Sequence, residues 1–315
     1  MDDPNQPKTL LEAIRYYSDL DIATREFSAL RWPNGVTCPY CESQENYYAP
    51  SRRIWKCKAC RNQFSPKVGT ICEDSPIGLD KWLTAMWMIA NDKNGVSSWE
   101  IHRDLGVTQK TAWFMLQRIR LAMQTGTFEK AAGRVEVDET FIGGKALNMH
   151  RHIRAQKITG TGGKDKTMVV GVLERGGKVR VSVSKSRRKK ELQAYVRAHV
   201  EPGAEVFTDA LKSYEGLDSE YLHQFVDHAI EYVKGHVHTN GMENFWSLLK
   251  RTLKGTYVSV DPFHLFRYLD EQAFRYNERR DERGDGGRFR SVVRGSVGKR
   301  LTYKRLTGKT EDRTN

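Results

Sequence analysis

Three carboxylates and one lysine in the second half of the chain have the types and settings that chemistry needs. Asp138 lies in "VEVDETFIGG" (135–144), where apolar and polar residues alternate as in a half-buried strand. Asp209 ends the short apolar run of "AEVFTDALKSY" (204–214). Glu243 falls in "HTNGMENFWSLLKR" (238–251), an amphipathic helix in which Phe245, Trp246, Leu248 and Leu249 face a core and Thr239 or Asn240 supplies the cap. Lys250 follows Glu243 by seven residues, nearly two turns, so the two project from one side of that helix. Three converging carboxylates can hold two divalent ions, one activating an attacking oxygen and the other stabilising a departing one, as in phosphodiester chemistry. Hard oxygen ligands suit Mg2+ or Mn2+, not zinc. An acid at a strand end is more commonly a turn residue, so the constellation alone leaves both readings open.

A second set of chemical residues stands near the start. Cys38 and Cys41 ("CPYC") and Cys57 and Cys60 ("CKAC") form C-x2-C-x15-C-x2-C. Two-residue gaps let neighbouring thiolates reach one ion, and two such knuckles complete a tetrahedral site for one structural Zn2+. A redox or mononuclear iron site is the rival. Arg52, Arg53, Trp55, Lys56 and Lys58 give the intervening hairpin a basic, aromatic surface, or merely close it. Cys72 is outside the spacing and reads as a small buried side chain.

The elements that must position these groups follow from periodicity. "PIGLDKWLTAMWMIANDKNG" (76–95) is a helix ended by Asn94-Gly95. Ser97 or Ser98 then caps a short helix, Gly106 marks a turn, and Thr108 caps a second helix through Ile119. This pattern predicts a helix-turn-helix that offers Gln109, Lys110, Thr111 and Arg118 to bases or phosphates, with an ordinary helical hairpin as the alternative. Further on, "KTMVVGVLERGGKVRVSVSK" (166–185) is two β runs joined at Gly176-Gly177, "ELQAYVRAHV" is a helix, and Asp261-Pro262 starts a last helix buried through Leu265, Leu269, Ala273 and Tyr276. The order β-β-β-α-β-α predicts an α/β sheet with a leading meander.

Charge narrows the partners. The 315 residues carry a net charge of +13 with mean hydropathy −0.65, a balance that favours a polyanion such as nucleic acid over a merely solubilising surface charge. "KSRRKK" puts Arg187, Arg188 and Lys189 in a cluster suited to phosphate, and residues 279–315 hold twelve basic against five acidic side chains. No run of eighteen apolar residues occurs, and "MDDPNQPKTL" does not read as a secretory signal, so the expectation is a cytoplasmic protein without membrane contact.

"VEVDETFIGGK", "VFTDALKSY", "VHTNGMENFWSLLKRTLKGTY" and "HLFRYLDEQAFRYNER", with "FSPKVGTICEDSPIGLDKWLTAMW" before them, resemble the ISXO-type insertion-sequence transposases, relatives of the Merlin elements. The likeness runs from about Leu20 to Arg280 with the motifs in the same order. It implies an RNase H-like domain, a mixed sheet with flanking helices, whose acids are Asp138, Asp209 and Glu243 with Lys250 as the basic residue after them. Relatives can carry Asn at the third acid; this chain keeps Glu. The 34-position offset from Asp209 to Glu243 also resembles the arrangement in that group. Glu139 is the local rival for the first ligand, but strand alternation predicts that only one of the two points into the site, and Asp138 is expected. His228 is implied as a DNA contact or a support for the ligands. "YVKGHVHTN" departs from the acidic residue that relatives place before the Gly, which removes the basis for carrying a role over to Lys234. Asn240 and Trp246 are expected to cap and pack.

On this basis the chain divides into a helical lead-in (1–30), a zinc ribbon (31–72), a helix-turn-helix region (76–128), an RNase H-like catalytic domain (133–280) and a basic C-terminal tail (281–315) that binds phosphate. The resemblance implies strand cleavage at element ends and 3′-hydroxyl transfer into target DNA, two Mg2+ or Mn2+ ions, double-stranded DNA as partner, a homo-oligomer on that DNA, and a bacterial, nucleoid-associated location. A stand-alone nuclease of the same fold and a zinc-ribbon regulator with structural acids are the rivals.

Overall fold

The computed structural model describes residues 6–124, 129–144, 150–158, 166–209, 212–226 and 238–308. The chain divides into two units, Met1–Thr125 with Glu278–Asn315, and Gly126–Asn277. In the first, helices α1 (Leu10–Tyr17) and α2 (Leu20–Arg31) start on side-chain caps, Thr9 accepting from the Glu12 N–H and Asp19 from those of Asp21 and Ile22. Antiparallel strands β1 (Asn46–Ala49), β2 (Ile54–Cys57) and β3 (Gln63–Phe64) form the cysteine hairpin. Each knuckle closes on a left-handed residue just after its second cysteine, Glu42 (φ 61) and Arg61 (φ 64). The sulfurs of Cys38 and Cys60 are 3.7 Å apart and those of Cys41 and Cys57 3.6 Å, with all four within 4.8 Å of one another. Tetrahedral Zn–S bonds of about 2.3 Å place sulfurs about 3.8 Å apart, so the thiols fit one zinc ion. The Asn62 backbone N–H lowers the Cys60 thiol to about 7, easing formation of the thiolate. Trp55, partly buried, packs against Tyr48, Trp32 and Phe64, so this aromatic helps close the hairpin core.

Helix α3 (Leu79–Asn91) buries a broad apolar face that includes Trp82, Leu83, Met86, Trp87 and Ile89. Helix α4 (Ser98–Leu105) begins on a reciprocal Ser97–Glu100 capping box and ends at Gly106 (φ 57). Helix α5 (Gln109–Met123) is capped by Thr108 and runs one turn beyond Ile119. Cys72 is fully buried, and burial pushes its thiol up to about 12.

The second unit is an α/β layer. Strand β4 (Arg134–Ile142) is followed by helix α6 (Arg151–Lys157), strands β5 (Thr167–Glu174) and β6 (Val179–Ser184), helix α7 (Lys189–His199), and strands β7 (Glu205–Asp209) and β8 (Leu222–Val226). The strand order is β6-β5-β4-β7-β8; β4, β5 and β6 are antiparallel neighbours, while β7 runs parallel to β4 and β8 parallel to β7. One face packs Val135, Val137, Val170 and Val206 against Leu192 and Val196 of α7. The other packs Val169, Leu173 and Val179 against helices α8 (Asn240–Thr252) and α9 (Leu265–Asn277). The meander, α7, β7, α8 and α9 match the expected order. Strand β8 and helix α6 were not anticipated: β8 is a short edge strand with Leu222 and Phe225 exposed, so no sustained apolar alternation marks it.

Residues 281–308 do not form a separate basic tail. Helix α10 (Gly284–Gly295) buries Phe289, Val292 and Val293 in the first unit, where Phe289 meets Tyr17 and Trp87 with ring centroids 5.3 Å apart in both pairs. The Ile71 N–H then donates to Ser296 O at 3.1 Å, and helix α11 (Tyr303–Leu306) follows. The apolar residues lie at helical spacing between the arginines, a pattern that net charge hides. Residues 309–315 lie outside the described residues.

Zinc contributes on the order of 10 kcal/mol to folding in small metal domains. Cys60→Ser should therefore release the ion and strip hydrogen-exchange protection from the β1–β2 amides, read by mass spectrometry. Full protection in a zinc-free variant would show that the aromatic packing closes the hairpin unaided.

Candidate active site

Strands β4 and β7 bring the first two acids together. Their parallel register pairs Arg134 with Glu205, Val135 with Val206 and Glu136 with Phe207, and two further residues along each strand bring Asp138 level with Asp209. Ligand sites of open α/β sheets gather at such carboxyl ends of parallel strands. One carboxylate oxygen each from Asp138, Glu139 and Asp209 lies within a 4.8 Å group.

Alternation does send Asp138 and Glu139 to opposite faces of β4. Asp138 Oδ2 accepts from Trp246 Nε1 on α8 at 3.0 Å, and its Oδ1 accepts from the Glu139 N–H at 2.8 Å. Glu139 Oε2 accepts from the Tyr214 hydroxyl at 2.9 Å, and Oε1 from Arg187 Nη2 at 2.7 Å. Yet the longer Glu139 side chain still brings an oxygen into the acidic group, so the expectation that only one of the pair reaches the site does not hold. Burial first, and the charges of Glu139 and Asp209 next, push the Asp138 carboxyl up to about 7 against the two hydrogen bonds it accepts. Burial likewise pushes the Tyr214 phenol well above its ordinary value.

Helix α8 adds the fourth wall. Met242, Phe245, Trp246 and Leu249 are buried, while Glu243, Ser247, Lys250, Arg251 and Lys254 line a cavity of about 580 Å³ together with Asp138, Glu139, Thr140 and the Trp246 ring. Glu243 shares this cavity but stands outside the 4.8 Å group. Lys254 lies just past α8, in a π-helical turn (Leu253–Tyr257) that ends at Val258, a β-branched residue at φ 60.

What docks α8 is a buried carboxylate, Glu136, 1% exposed on β4. Its Oε2 accepts from the Met242 N–H at 3.0 Å, a first-turn donor of α8. Its Oε1 accepts from Arg175 Nε at 2.8 Å and lies 3.4 Å from His238 Nδ1, while Arg175 Nη2 donates to His238 O at 2.7 Å. Thr239 sits at the N-cap position without a side-chain bond, so neither it nor Asn240 caps the helix; Glu136 does that work from the sheet. Gly241 makes the approach possible, because a Cβ there would lie 2.5 Å from Leu173 Cδ2 and 2.7 Å from Glu136 Oε2. Gly171, opposite Asp138, leaves room for Met242 and Trp246 in the same way.

The expected nucleic-acid contacts fare differently. Arg118 is buried: Nε donates to Leu301 O and Nη1 to Ile71 O and Glu73 O, so it braces the first unit and is withdrawn from bases. Gln109 donates to Ser98 Oγ at 2.9 Å, the Thr111 and Thr108 hydroxyls are 2.8 Å apart, and exposed Lys110 lies 4.8 Å from the Tyr303 ring centroid. Arg187 is committed to Glu139, while Arg188 and Lys189 are exposed at the start of α7. His228, Lys234 and His236 lie outside the described residues. His223 Nε2 is 2.9 Å from the Thr208 hydroxyl, which donates to Asp209 O, so this histidine steadies β7; burial lowers its pKa. Glu136, Arg175, Tyr214 and the Trp246 indole were missed as site residues, since each is tied to the acids by contacts between elements distant in sequence. Alternating "VEVDE" does put Glu136 and Asp138 on one strand face, a usable signal.

Residues 130–277 match the family described as ISXO2-like transposase domain, and residues 21–63 match the transposase zinc-ribbon domain. The first range contains Asp138, Asp209, Glu243 and Lys250, and the second all four knuckle cysteines. An uncharacterized protein in transposable element ISH50 of Halobacterium salinarum is 28% identical over 244 residues, covering 73% of this chain and 82% of the relative. An uncharacterized transposase-like protein of Haemophilus influenzae is 35% identical over 83 residues, 26% of this chain and 67% of the relative.

Removing one partner of a buried ion pair costs about 3–5 kcal/mol. Glu136→Ala should therefore lower thermal stability sharply, with Glu136→Gln recovering part of it through the amide oxygen, and Gly241→Ala should destabilise by crowding the same joint; calorimetry reads all three. Asp138 gives a pH test. It ionises near 3.8 in the unfolded chain and at about 7 when folded, so between those values the unfolded state gives up its proton first and stability falls as pH rises. In chelator-treated protein, Asp138→Asn should melt above the parent at pH 8, and the difference should vanish below pH 4. An equal gap at both ends would refute the electrostatic origin.

Proposed function

The chain belongs to the ISXO2-like transposase family, and from that premise we propose that it is a metal-dependent DNA transposase that cleaves a strand at element ends and joins the freed 3′-hydroxyl to target DNA. The observation that carries this is the grouping of Asp138, Glu139 and Asp209 at one sheet end, where Asp138 and Glu139 share a cavity with Glu243 and Lys250 of α8. The sheet order β6-β5-β4-β7-β8, with three antiparallel strands and two parallel to the first, supports an RNase H-like domain.

The donor set fits hard divalent ions. The clustered donors are carboxylate oxygens, and burial with the neighbouring charges of Glu139 and Asp209 raises the Asp138 carboxyl, a penalty that a bound cation would relieve. Asp138, Asp209 and Glu243 would hold up to two Mg2+ or Mn2+. Such ions supply charge neutralisation at the phosphate and activation of the attacking oxygen. The rest falls to the chain. Trp246 fixes the Asp138 carboxylate by its indole N–H, and Arg187 with Tyr214 balances Glu139. Lys250 meets a non-bridging oxygen of the scissile or neighbouring phosphate as a point charge. A water oxygen attacks phosphorus and the 3′ oxygen leaves. That 3′-hydroxyl then attacks a target phosphodiester in the same site, exchanging one ester bond for another.

Element ends would be held by the zinc ribbon and by α4–α5 acting as a helix-turn-helix, with Gln109, Lys110 and Thr111 at the N-terminal end of α5. The exposed Arg188 and Lys189, with His228 beyond the described residues, belong to the same DNA-binding proposal. Among the described residues no helix is long and apolar enough to cross a membrane. A cytoplasmic, nucleoid-associated protein that works as a homo-oligomer on DNA suits this activity.

Asp138→Asn and Glu243→Gln should each abolish cleavage and joining in Mg2+ while leaving affinity for end-bearing duplexes intact, measured by plasmid joining and fluorescence anisotropy. Lys250→Ala should slow cleavage by about 10²–10³-fold, the loss typical of one preorganised charge contact. Full activity in either acid variant overturns the assignment. Cleavage without joining in the parent moves the function to a nuclease, and binding without cleavage to a regulator.

A further inference from the structure

Beyond Lys250, two cations on the same wall have no part in the reaction so far. Arg251 and Lys254 are exposed, and they continue the α8 stripe that starts at Glu243 and passes through Ser247 and Lys250. Several arginines elsewhere in this unit are paired: Arg175 with Glu136, Arg187 with Glu139, Arg197 with Glu220, Arg134 with Glu205. Lys250, Arg251 and Lys254 form no ion pair among the described residues, although Asp138, Glu139 and Glu243 line the same cavity. Three cations held within little more than one turn repel one another, and none of them is held in an ion pair with the acids across the cavity. The cavity is thus bipolar, carboxylates at the sheet end and cations toward the far end of α8.

We infer that Arg251 and Lys254 form a sequence-independent rail for the sugar–phosphate backbone, gripping the DNA strand beside the scissile phosphate. The inference rests on the transposase reading of this cavity. Its physical logic is polarity. The acids repel a phosphate unless cations intervene, whereas the rail attracts one, so a strand lying along α8 enters with its backbone registered against Lys254 and Arg251 and its reacting phosphate near Lys250. The π-helical turn at Leu253–Tyr257 widens the backbone where Lys254 sits, which extends the rail past the regular helix. Contacts of this kind orient the strand and read no bases, so their loss weakens all sequences alike.

Salt dependence tests this directly, because each phosphate contact adds about 0.9 to the slope of log affinity against log salt for duplex DNA. Zinc-loaded full-length protein is titrated with two duplex oligonucleotides of unrelated sequence, in Ca2+, over a range of salt. Arg251→Gln and Lys254→Gln should each lower the slope by about 0.9, and the double variant by about 1.8, equally on both duplexes. Arg251→Lys should restore the slope, and Lys178→Gln, a hairpin-turn lysine outside the cavity, should leave it unchanged; melting temperatures verify that each variant folds. Parent-like slopes in the double variant overturn the rail while leaving the transposase reading intact. A parent protein that shows no salt-dependent binding to either duplex overturns both.

Discussion

A carboxylate buried in the sheet, Glu136, is the joint on which the active-site geometry depends. Stripped of water, it needs donors, and it finds them in the Arg175 guanidinium and the first-turn Met242 N–H of α8. That second bond fixes where α8 begins against β4. Glu136 is two residues before Asp138, and Met242 is immediately before Glu243, so one joint sets the relation between acids that come from opposite ends of the second unit. Gly241 and Gly171 serve the same closeness, since a Cβ at either would push the helix from the strand.

With the helix docked, the rest of the site is an exercise in balancing like charges. Asp138 takes its stabilisation from the Trp246 indole and its own neighbouring amide; Glu139 takes its from Arg187 and Tyr214 on the other face. Burial, and then the charges of Glu139 and Asp209, outweigh those hydrogen bonds, which is why the Asp138 carboxyl stays well above the ordinary carboxylate range. In the proposed reaction, carboxylates already held in place by these bonds would need little rearrangement to receive a cation.

Much of this was legible in the residues. The alternation around Asp138, the apolar run into Asp209 and the amphipathic period around Glu243 named the elements correctly, because local period follows directly from which faces are buried. Two-residue knuckle gaps did the same for the cysteine site. The misses share a cause: they depend on contacts between segments far apart in the chain. Arg118 looked available on an exposed-looking helix until Leu301 and Ile71 supplied carbonyls to it. The run of arginines after residue 280 obscured the apolar stripe of Phe289, Val292 and Val293 that folds it into the first unit. Arg187 read as a phosphate contact from its basic neighbours, yet it answers to Glu139. Glu136 and Trp246 were visible only as strand and core residues until β4 and α8 met.

The central claim is that Asp138, Asp209 and Glu243 form one divalent-ion site. Mn2+ titration of zinc-loaded protein, followed by electron paramagnetic resonance, tests it without relying on DNA. The parent should bind up to two ions that Mg2+ displaces, and Asp209→Asn should lose them while keeping its zinc. Undiminished Mn2+ binding in Asp209→Asn, or none in the parent, would contradict the account.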